Sequence, residues 1–449
     1  MNVQVHPTVS SSQGGFSGYV DQLGQTLSTV IFDGMTSAGL ANIQRALDGE
    51  PSMELRRHYS LSELRSSGTF LTGSKLANQL AAQAVPEAAI DALFCDPACG
   101  AGDLLLATAR YLPVLAHLDQ TLAEWGKRLV GFDLQPLLVR ATKMRLALLA
   151  ISLGAKQRQK RLPDLDALFP HIRVADGTAS WNVPAAAFSV LVNPPFTRVT
   201  APPTCEWGSG LVSKAALFLE ACLDQIKRPA SIHAILPDVL RTGSRYEKWR
   251  HCVSNKALVR DAVPMGRFDP STDVDVFAVH LELPKTRIAP ACNWGMPACS
   301  SPTTVADKFA IRVGPIVPYR HLNKGAWFPY ARTKALPQWG KVNQLEDRIR
   351  STQTTFRPPF VLIRRTSRPG DRFRASGTLV TGERAIAVEN HLLVAIPADG
   401  TLCSCRELLA VLRNPDSTKW LNQRICCRHL TVGALLGLPW IPAIEQNAL

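Results

Sequence analysis

The sequence Asn193-Pro194-Pro195-Phe196 directly follows a short apolar run over 188–192. Two successive prolines lack N–H groups and have a fixed φ angle, so they end a strand and hold the preceding carbonyls in a rigid turn. The Asn193 side chain and the Pro194 backbone then offer two fixed carbonyl oxygens that can accept from a planar exocyclic amine and orient its lone pair. Phe196 offers a ring on which a base can stack. The alternative interpretation is a purely structural proline turn.

A glycine-containing turn follows an earlier apolar run, within the segment 95–106. Gly100 and Gly102 allow the backbone to turn sharply and to approach a ligand closely. A dinucleotide-binding loop usually adds a third glycine, where this sequence has Leu105. Asp96 and Pro97 come first in the turn. The Asp96 carboxylate would repel a pyrophosphate, but it can accept from the ammonium group of an amino-acid moiety.

Two further acidic residues follow apolar runs. Asp133 ends the run 129–132, the position from which a doubly wound fold binds ribose hydroxyls. Asp176 and Gly177 follow a third run, and Asp176 can accept from the exocyclic amine of an adenine ring. The alternatives are a helix N-cap for Asp133 and a simple turn for Asp176. Together with the glycine turn, the three acids predict a pocket for S-adenosylmethionine.

The elements that carry these residues are short apolar runs that alternate with helical stretches between positions 74 and 284. This pattern predicts a doubly wound, mostly parallel α/β sheet covered on both faces. The run 274–283 alternates with period two, which predicts a late antiparallel strand at the edge of that sheet. Positions 19–47 have near-helical spacing, which predicts an N-terminal helical segment.

Positive charge is concentrated in the last third of the chain. Residues 301–449 contain 21 Lys and Arg but 10 Asp and Glu, so they carry +11 of the net charge of +14. Six arginines lie close together there, near three phenylalanines. They are Arg357, Arg364, Arg365, Arg368, Arg372 and Arg374. Clustered arginine with aromatic residues is typical of a surface that contacts nucleic acid, and the alternative is a solvated basic loop.

Composition limits the class of protein. With 449 residues, 46% hydrophobic and 19% charged, the chain is a globular protein of two or three domains. No apolar stretch approaches the roughly 18 residues of a membrane span, so we expect a cytoplasmic protein with no membrane partner. The eleven cysteines are expected to be reduced, and no metal site is predicted.

Taken together, the motifs resemble those of the S-adenosylmethionine-dependent DNA adenine-N6 methyltransferases of gamma order, found in bacterial restriction-modification systems. In that family the cofactor motif precedes Asn-Pro-Pro-Phe and a recognition domain follows. The segment 68–77 resembles the family's stretch before the first strand, with Gly73 where the family usually has proline. Similar segments are found at 235–244, 389–394, 408–415 and 428–439.

The resemblance implies roles for particular residues. It implies Asn193, Pro194, Pro195 and Phe196 at the target base. It implies that the cofactor is bound by Thr72, Asp96, Pro97, Gly100, Gly102, Asp133, Asp176 and Gly177. The basic segment with its six arginines would then contact double-stranded DNA.

The expected organisation has four parts. A helical segment over 1–67 precedes a methyltransferase domain over 68–285, a linker over 286–304 and a mixed α+β recognition domain over 305–449. A separate restriction or specificity subunit is a compatible partner. Two alternatives stay open, a methyltransferase of RNA bases and a DNA-binding subunit of a defence complex without activity of its own.

Overall fold

The computed structural model describes residues 15–86, 88, 92–158, 160–179, 181, 188–226, 230–269, 272–283, 294–295, 301–320, 324–425 and 428–440. The chain divides into two compact units, Met1–Arg241 with Arg245–Cys292 and Thr242–Ser244 with Asn293–Leu449. The predicted linker, 286–304, lies largely outside the described residues, and Cys426 and Cys427 also lie outside them. Among the described helices, none has the length and apolar character needed to cross a bilayer.

The described residues of the first unit form nine strands. They are β1 (Leu93–Asp96), β2 (Leu129–Asp133), β3 (Ile172–Val174), β4 (Phe188–Val192), β5 (Arg198–Thr200), β6 (Leu211–Ser213), β7 (Ala230–Pro237), β8 (Leu258–Asp269) and β9 (Thr272–Leu283). Seven form one sheet in the order β3-β2-β1-β4-β7-β9-β8, in which the first five run parallel. β5 and β6 form a separate antiparallel pair. The predicted doubly wound, Rossmann-like α/β fold is confirmed.

The direction of strand succession reverses between β1 and β4. In an open α/β sheet, ligands bind in the crevice at the carboxyl ends of the strands where this reversal occurs. A functional site is therefore expected in the crevice between the carboxyl ends of β1 and β4. The residues that follow these two strands are Asp96 and Asn193.

The edge of the sheet differs from the prediction. β9 is antiparallel, as expected, but it is an inner strand between β7 and β8, and β8 forms the edge. The period of β8 is hidden in the sequence because its pairing with β9 shifts register three times. A shift of one residue moves each side chain to the other face, so apolar and polar residues no longer alternate.

The described residues in the same part of the chain also form twelve α-helices. They are α1 (Phe16–Phe32), α2 (Ser37–Leu47), α3 (Glu50–His58), α4 (Leu61–Ser67), α5 (Ser74–Ala84), α6 (Asp103–Ala109), α7 (Leu118–Arg128), α8 (Pro136–Ser152), α9 (Leu165–Leu168), α10 (Lys214–Gln225), α11 (Asp238–Thr242) and α12 (Glu247–Lys256). The predicted helical stretch over 19–47 is two helices, with Gly34 at φ +90° between them. α1 and α2 pack on α8, which explains why most residues of α8 are buried.

The second unit combines sheets and helices, as predicted. Its strands are β10 (Phe309–Val313), β11 (Ala326–Ala331), β12 (Lys341–Val342), β13 (Arg348–Ser351), β14 (Phe360–Arg364), β15 (Gly377–Val380), β16 (Ala387–Val388) and β17 (Leu392–Pro397). Five form the sheet β10-β17-β14-β15-β12, and three form the sheet β13-β11-β16. Three helices, α13 (Leu402–Arg413), α14 (Pro415–Arg424) and α15 (Val432–Leu436), share a hydrophobic core with the five-stranded sheet.

Candidate active site

A cavity of about 290 Å³ opens at the carboxyl ends of the parallel strands. The sequence-predicted residues that line it come from four separate segments. They are Pro97, Gly100, Asp133, Asp176, Gly177, Asn193 and Pro195. The structure therefore brings the glycine turn, two of the three acids and the Asn-Pro-Pro motif to one place.

The turn after β1 requires glycine for steric reasons. Gly100 has φ +52°, and a Cβ there would lie 2.7 Å from Leu71 Cδ2. Gly177, on the loop after β3, is packed more tightly, because a Cβ there would lie 1.8 Å from the carbonyl oxygen of Pro97. Real Cβ atoms do not come this close to a backbone oxygen. The two loops therefore approach each other at the floor of the cavity only because position 177 has no side chain.

Asp133 joins β2 to the glycine turn. Its Oδ2 accepts from Gly100 N (3.1 Å) and its Oδ1 accepts from Gln135 N (2.8 Å). Burial raises the pKa of Asp133, and the backbone N–H groups partly offset this rise. Asp176 is exposed at the rim, where its Oδ1 accepts from both the backbone N (2.8 Å) and the hydroxyl (2.7 Å) of Thr178. One oxygen of Asp176 therefore stabilises a local turn.

Asp96 is not part of the cavity lining. Its side chain is 1% exposed, and its Oδ1 accepts from Ala98 N (3.1 Å) under the turn. Burial raises the pKa of Asp96 well above its usual range, the Ala98 N–H lowers it, and the nearby carboxylates of Asp133 and Asp103 raise it again. A cation close to this carboxyl group would favour its charged form.

Asn193 is held in one orientation by the segment 70–72. Its Nδ2 donates to Thr72 Oγ1 (3.1 Å) and to the Phe70 carbonyl (3.4 Å). Because a backbone carbonyl can only accept, the NH₂ group must face Phe70, and Oδ1 faces the other way. This Oδ1 is buried and has no hydrogen-bond partner among the described residues. An unpaired buried acceptor costs about 1–3 kcal/mol, so the site is prepared to accept from a ligand donor.

Thr72 was predicted to contact the cofactor, and in the structure its hydroxyl accepts from Asn193 Nδ2. Two other residues of the motif pack into the protein. Pro194 is buried, and the Phe196 ring lies 5.3 Å from Phe268 in an edge-to-face pair. Gly102, at φ +89°, precedes α6 behind the turn, and a Cβ there would lie 2.7 Å from a methyl group of Thr142.

The ion pair that holds this arrangement together was not predicted from the sequence. Asp103 accepts from Gly73 N (2.8 Å) through Oδ2 and from Arg145 Nη1 (2.9 Å) through Oδ1. Arg145 is 1% exposed, and it also donates to the carbonyls of Ala46 and Ala101. Asp103 therefore ties the segment before α5 to the glycine turn, and Arg145 ties α2 to the same turn. An arginine within the largely apolar sequence of α8 was the available signal for this ion pair.

Lys214 and Phe218 also line the cavity, and nothing in the sequence indicated that they would.

The six predicted arginines of the second unit are not equivalent. Arg357, Arg368 and Arg372 are exposed. Arg364 and Arg365 are half-buried and donate to the carbonyls of Leu336 and Asn390.

Arg374 does not belong to this exposed group. It is 0% exposed, and its guanidinium donates to Ser367 Oγ (2.6 Å) and to the Ile425 carbonyl (3.1 Å). The expectation that it contacts DNA is corrected to a structural role, because its donors are used inside the fold.

Comparison with known proteins finds similarity in structure. No protein-family model and no curated protein matches this sequence. A Listeria monocytogenes protein described as a candidate class I S-adenosylmethionine-dependent methyltransferase is 16% identical with a TM-score of 0.35, over 61% of this chain and 90% of that chain. The type IIL restriction-modification enzyme MmeI in complex with DNA is 12% identical with a TM-score of 0.44, over 92% and 70%.

A third structure comes from Vibrio vulnificus and is described as the modification subunit of a candidate type I restriction enzyme. It is 17% identical with a TM-score of 0.34, over 55% of this chain and 50% of that chain. The match thus spans half the length of the Vibrio protein.

Proposed function

We propose that this chain is an S-adenosylmethionine-dependent DNA methyltransferase that acts on the N6 amine of adenine. The observation that carries the proposal is the buried, unpartnered Oδ1 of Asn193 beside a cavity lined by Gly100 and Asp133. An acceptor fixed in this way suits a planar amine, because it accepts one N–H and leaves the nitrogen lone pair available. The Nδ2 at the other end of the same amide donates two hydrogen bonds, which keep the Asn193 side chain from rotating.

The residues around the cavity fit the cofactor. Gly100 and Gly177 leave room for close approach to the backbone, and Asp133 is the acceptor at the end of β2. Asp176 at the rim retains a second carboxylate oxygen for the adenine end, and Asp96 supplies a carboxyl group beneath the turn. When bound, S-adenosylmethionine supplies a methyl group activated by its positively charged sulfur.

The protein's part is then to place the target amine. Asn193 Oδ1 and the Pro194 carbonyl would accept its two N–H groups, and Phe196 would offer its ring to the base. An adenine in duplex DNA must leave the stack to reach such a site, at a cost of a few kcal/mol. Fixed acceptors in the cavity contribute to the rate because they need not reorganise during the reaction.

Double-stranded DNA is the partner that the charge distribution favours. Residues 301–449 carry a net charge of +11, and Arg357, Arg368 and Arg372 are exposed on that unit. Neutralising phosphates releases counterions and gives affinity without sequence preference. We place the activity in a bacterial restriction-modification setting, in the cytoplasm, where a separate restriction or specificity subunit would be a partner.

A transfer assay tests the proposal. The purified chain is incubated with methyl-labelled S-adenosylmethionine and either DNA from a methylation-free host or total RNA, and the digested nucleosides are separated. We expect the label in N6-methyladenine from DNA, and its loss in Asn193→Ala with cofactor binding unchanged by calorimetry. Asn42→Ala, on α2, is the matched control and should retain activity. Label in RNA would favour an RNA methyltransferase, and cofactor binding without transfer would favour a subunit that needs a partner.

A further inference from the structure

The three-stranded sheet of the second unit has one face that is aromatic and basic. β11 and β13 run antiparallel, with Trp327 opposite Arg350 and Pro329 opposite Arg348. Directly opposed residues, and residues two apart on one strand, share a face of the sheet. Trp327, Pro329, Arg348 and Arg350 therefore lie on one face, which we name the Trp327 face.

The other face of the same two strands is used for packing. Phe328, Tyr330 and Ile349 alternate with the residues of the Trp327 face and join a small hydrophobic core with Ile316. The sheet is thereby anchored on one side, and its other side is open. Trp327 is 55% exposed, although burial of a tryptophan ring is normally among the largest apolar contributions to stability. Packing within this unit therefore does not explain why a tryptophan stands at position 327.

Two arginines fix the surroundings of the ring. The Arg348 guanidinium lies over the Trp327 ring, 5.8 Å from its centroid, and Arg350 Nε donates to the Gly325 carbonyl (3.1 Å).

Gly325, at φ +98°, allows the two strands to approach closely, because a Cβ there would lie 2.4 Å from the Ser351 carbonyl oxygen. The nearby carboxylate of Asp347 is paired with Arg332 (2.6 Å). The Trp327 face thus presents positive charge on two paired antiparallel strands.

We infer that the Trp327 face binds DNA, with the Trp327 ring stacked on a base and Arg348 and Arg350 on phosphates. This inference rests on the proposed function for its partner, and it adds a surface outside the arginine segment 357–374. A single aromatic ring between two arginines suits a base and its phosphates. A protein partner or a lipid surface would favour a wider apolar patch than one tryptophan and one proline.

DNA affinity of single variants tests the inference. Fluorescence anisotropy with a labelled single strand and with the matching duplex, in the absence of cofactor, gives the dissociation constants. We expect Trp327→Ala to weaken binding about 10-fold, since stacking on one base contributes about that much, and Trp327→Phe to recover most of the loss. Arg348→Gln should lower the salt dependence of duplex binding by about 0.9 in the log–log slope.

Tyr319→Ala is the matched control, since Tyr319 is 77% exposed in the same unit but lies outside this sheet. It should bind DNA as tightly as the native chain. Native affinity in Trp327→Ala, or an equal loss in Tyr319→Ala, would overturn the inference. It would also be overturned if Trp327→Ala lost binding to vesicles of phosphatidylserine and phosphatidylcholine but kept its affinity for DNA.

Methyl transfer is measured separately on the same variants, so the two proposals fail independently. If the native chain transfers no methyl group but Trp327→Ala weakens DNA binding, the Trp327 face is supported and the proposed function is not. If the native chain methylates adenine and Trp327→Ala binds DNA normally, the proposed function is supported and the inference about the Trp327 face is not.

Discussion

Replacing Thr72 by valine tests how the site orients its amide. Valine has nearly the shape of threonine but removes the Oγ1 that accepts from Asn193 Nδ2 at 3.1 Å. The amide would keep only the Phe70 carbonyl at 3.4 Å, near the upper limit for a hydrogen bond. Loss of one hydrogen bond costs about 0.5–1.5 kcal/mol, and a poorly satisfied buried donor adds to it. With about 1.4 kcal/mol per tenfold in rate, we expect methyl transfer to slow by about 10-fold to 100-fold.

Single-turnover transfer at saturating cofactor measures this effect, with calorimetry for cofactor affinity. Thr72→Ser is the control, since serine keeps the hydroxyl and should retain most of the rate. The dissociation constant for S-adenosylmethionine should not change in either variant, because Thr72 contacts Asn193 and not the cavity. A normal rate in Thr72→Val would refute the orienting role. A matching loss of cofactor affinity would instead return Thr72 to the cofactor contact predicted from the sequence.

Three further predictions concern stability and binding. Because the pKa of Asp96 is raised, the folded chain holds that proton more tightly than the unfolded chain, so stability falls as pH rises from the usual carboxyl range towards the raised pKa. Asp96→Asn should flatten that part of the profile of unfolding free energy against pH, and an unchanged profile would contradict the burial argument. Gly177→Ala must displace the Pro97 carbonyl, so calorimetry should show at least a 10-fold loss of cofactor affinity. Arg145→Met leaves Asp103 as a buried charge without its cation, and denaturant unfolding should show a loss of about 3–5 kcal/mol.

The fold could be predicted because its central strands are continuous apolar runs. β4, Phe188–Val192, has the predicted bounds, and β2 differs by one residue. Buried parallel strands need apolar residues on both faces, which makes them visible in a sequence. The edge strand β8 could not be found in this way, since its register shifts remove the alternation.

The site could be predicted only in part, because its decisive contacts join distant positions. Asn193 and Thr72 are 121 residues apart, and nothing in either segment shows that one orients the other. The residue types predicted acceptors at the strand ends, but the depth of Asp96 below the turn depends on three-dimensional packing. For the same reason Arg374 could not be told from its exposed neighbours, since its partner carbonyl at Ile425 comes from another helix end.

The central claim is that Asn193 presents a free acceptor to an adenine amine. The most direct measurement is modification-sensitive long-read sequencing of DNA from a methylation-free bacterial host that expresses either the native chain or Asn193→Ala. We predict N6-methyladenine at one recurring short sequence with the native chain and its absence with the variant. Equal methylation in both strains would contradict the claim, because it would show that transfer does not need the Asn193 amide.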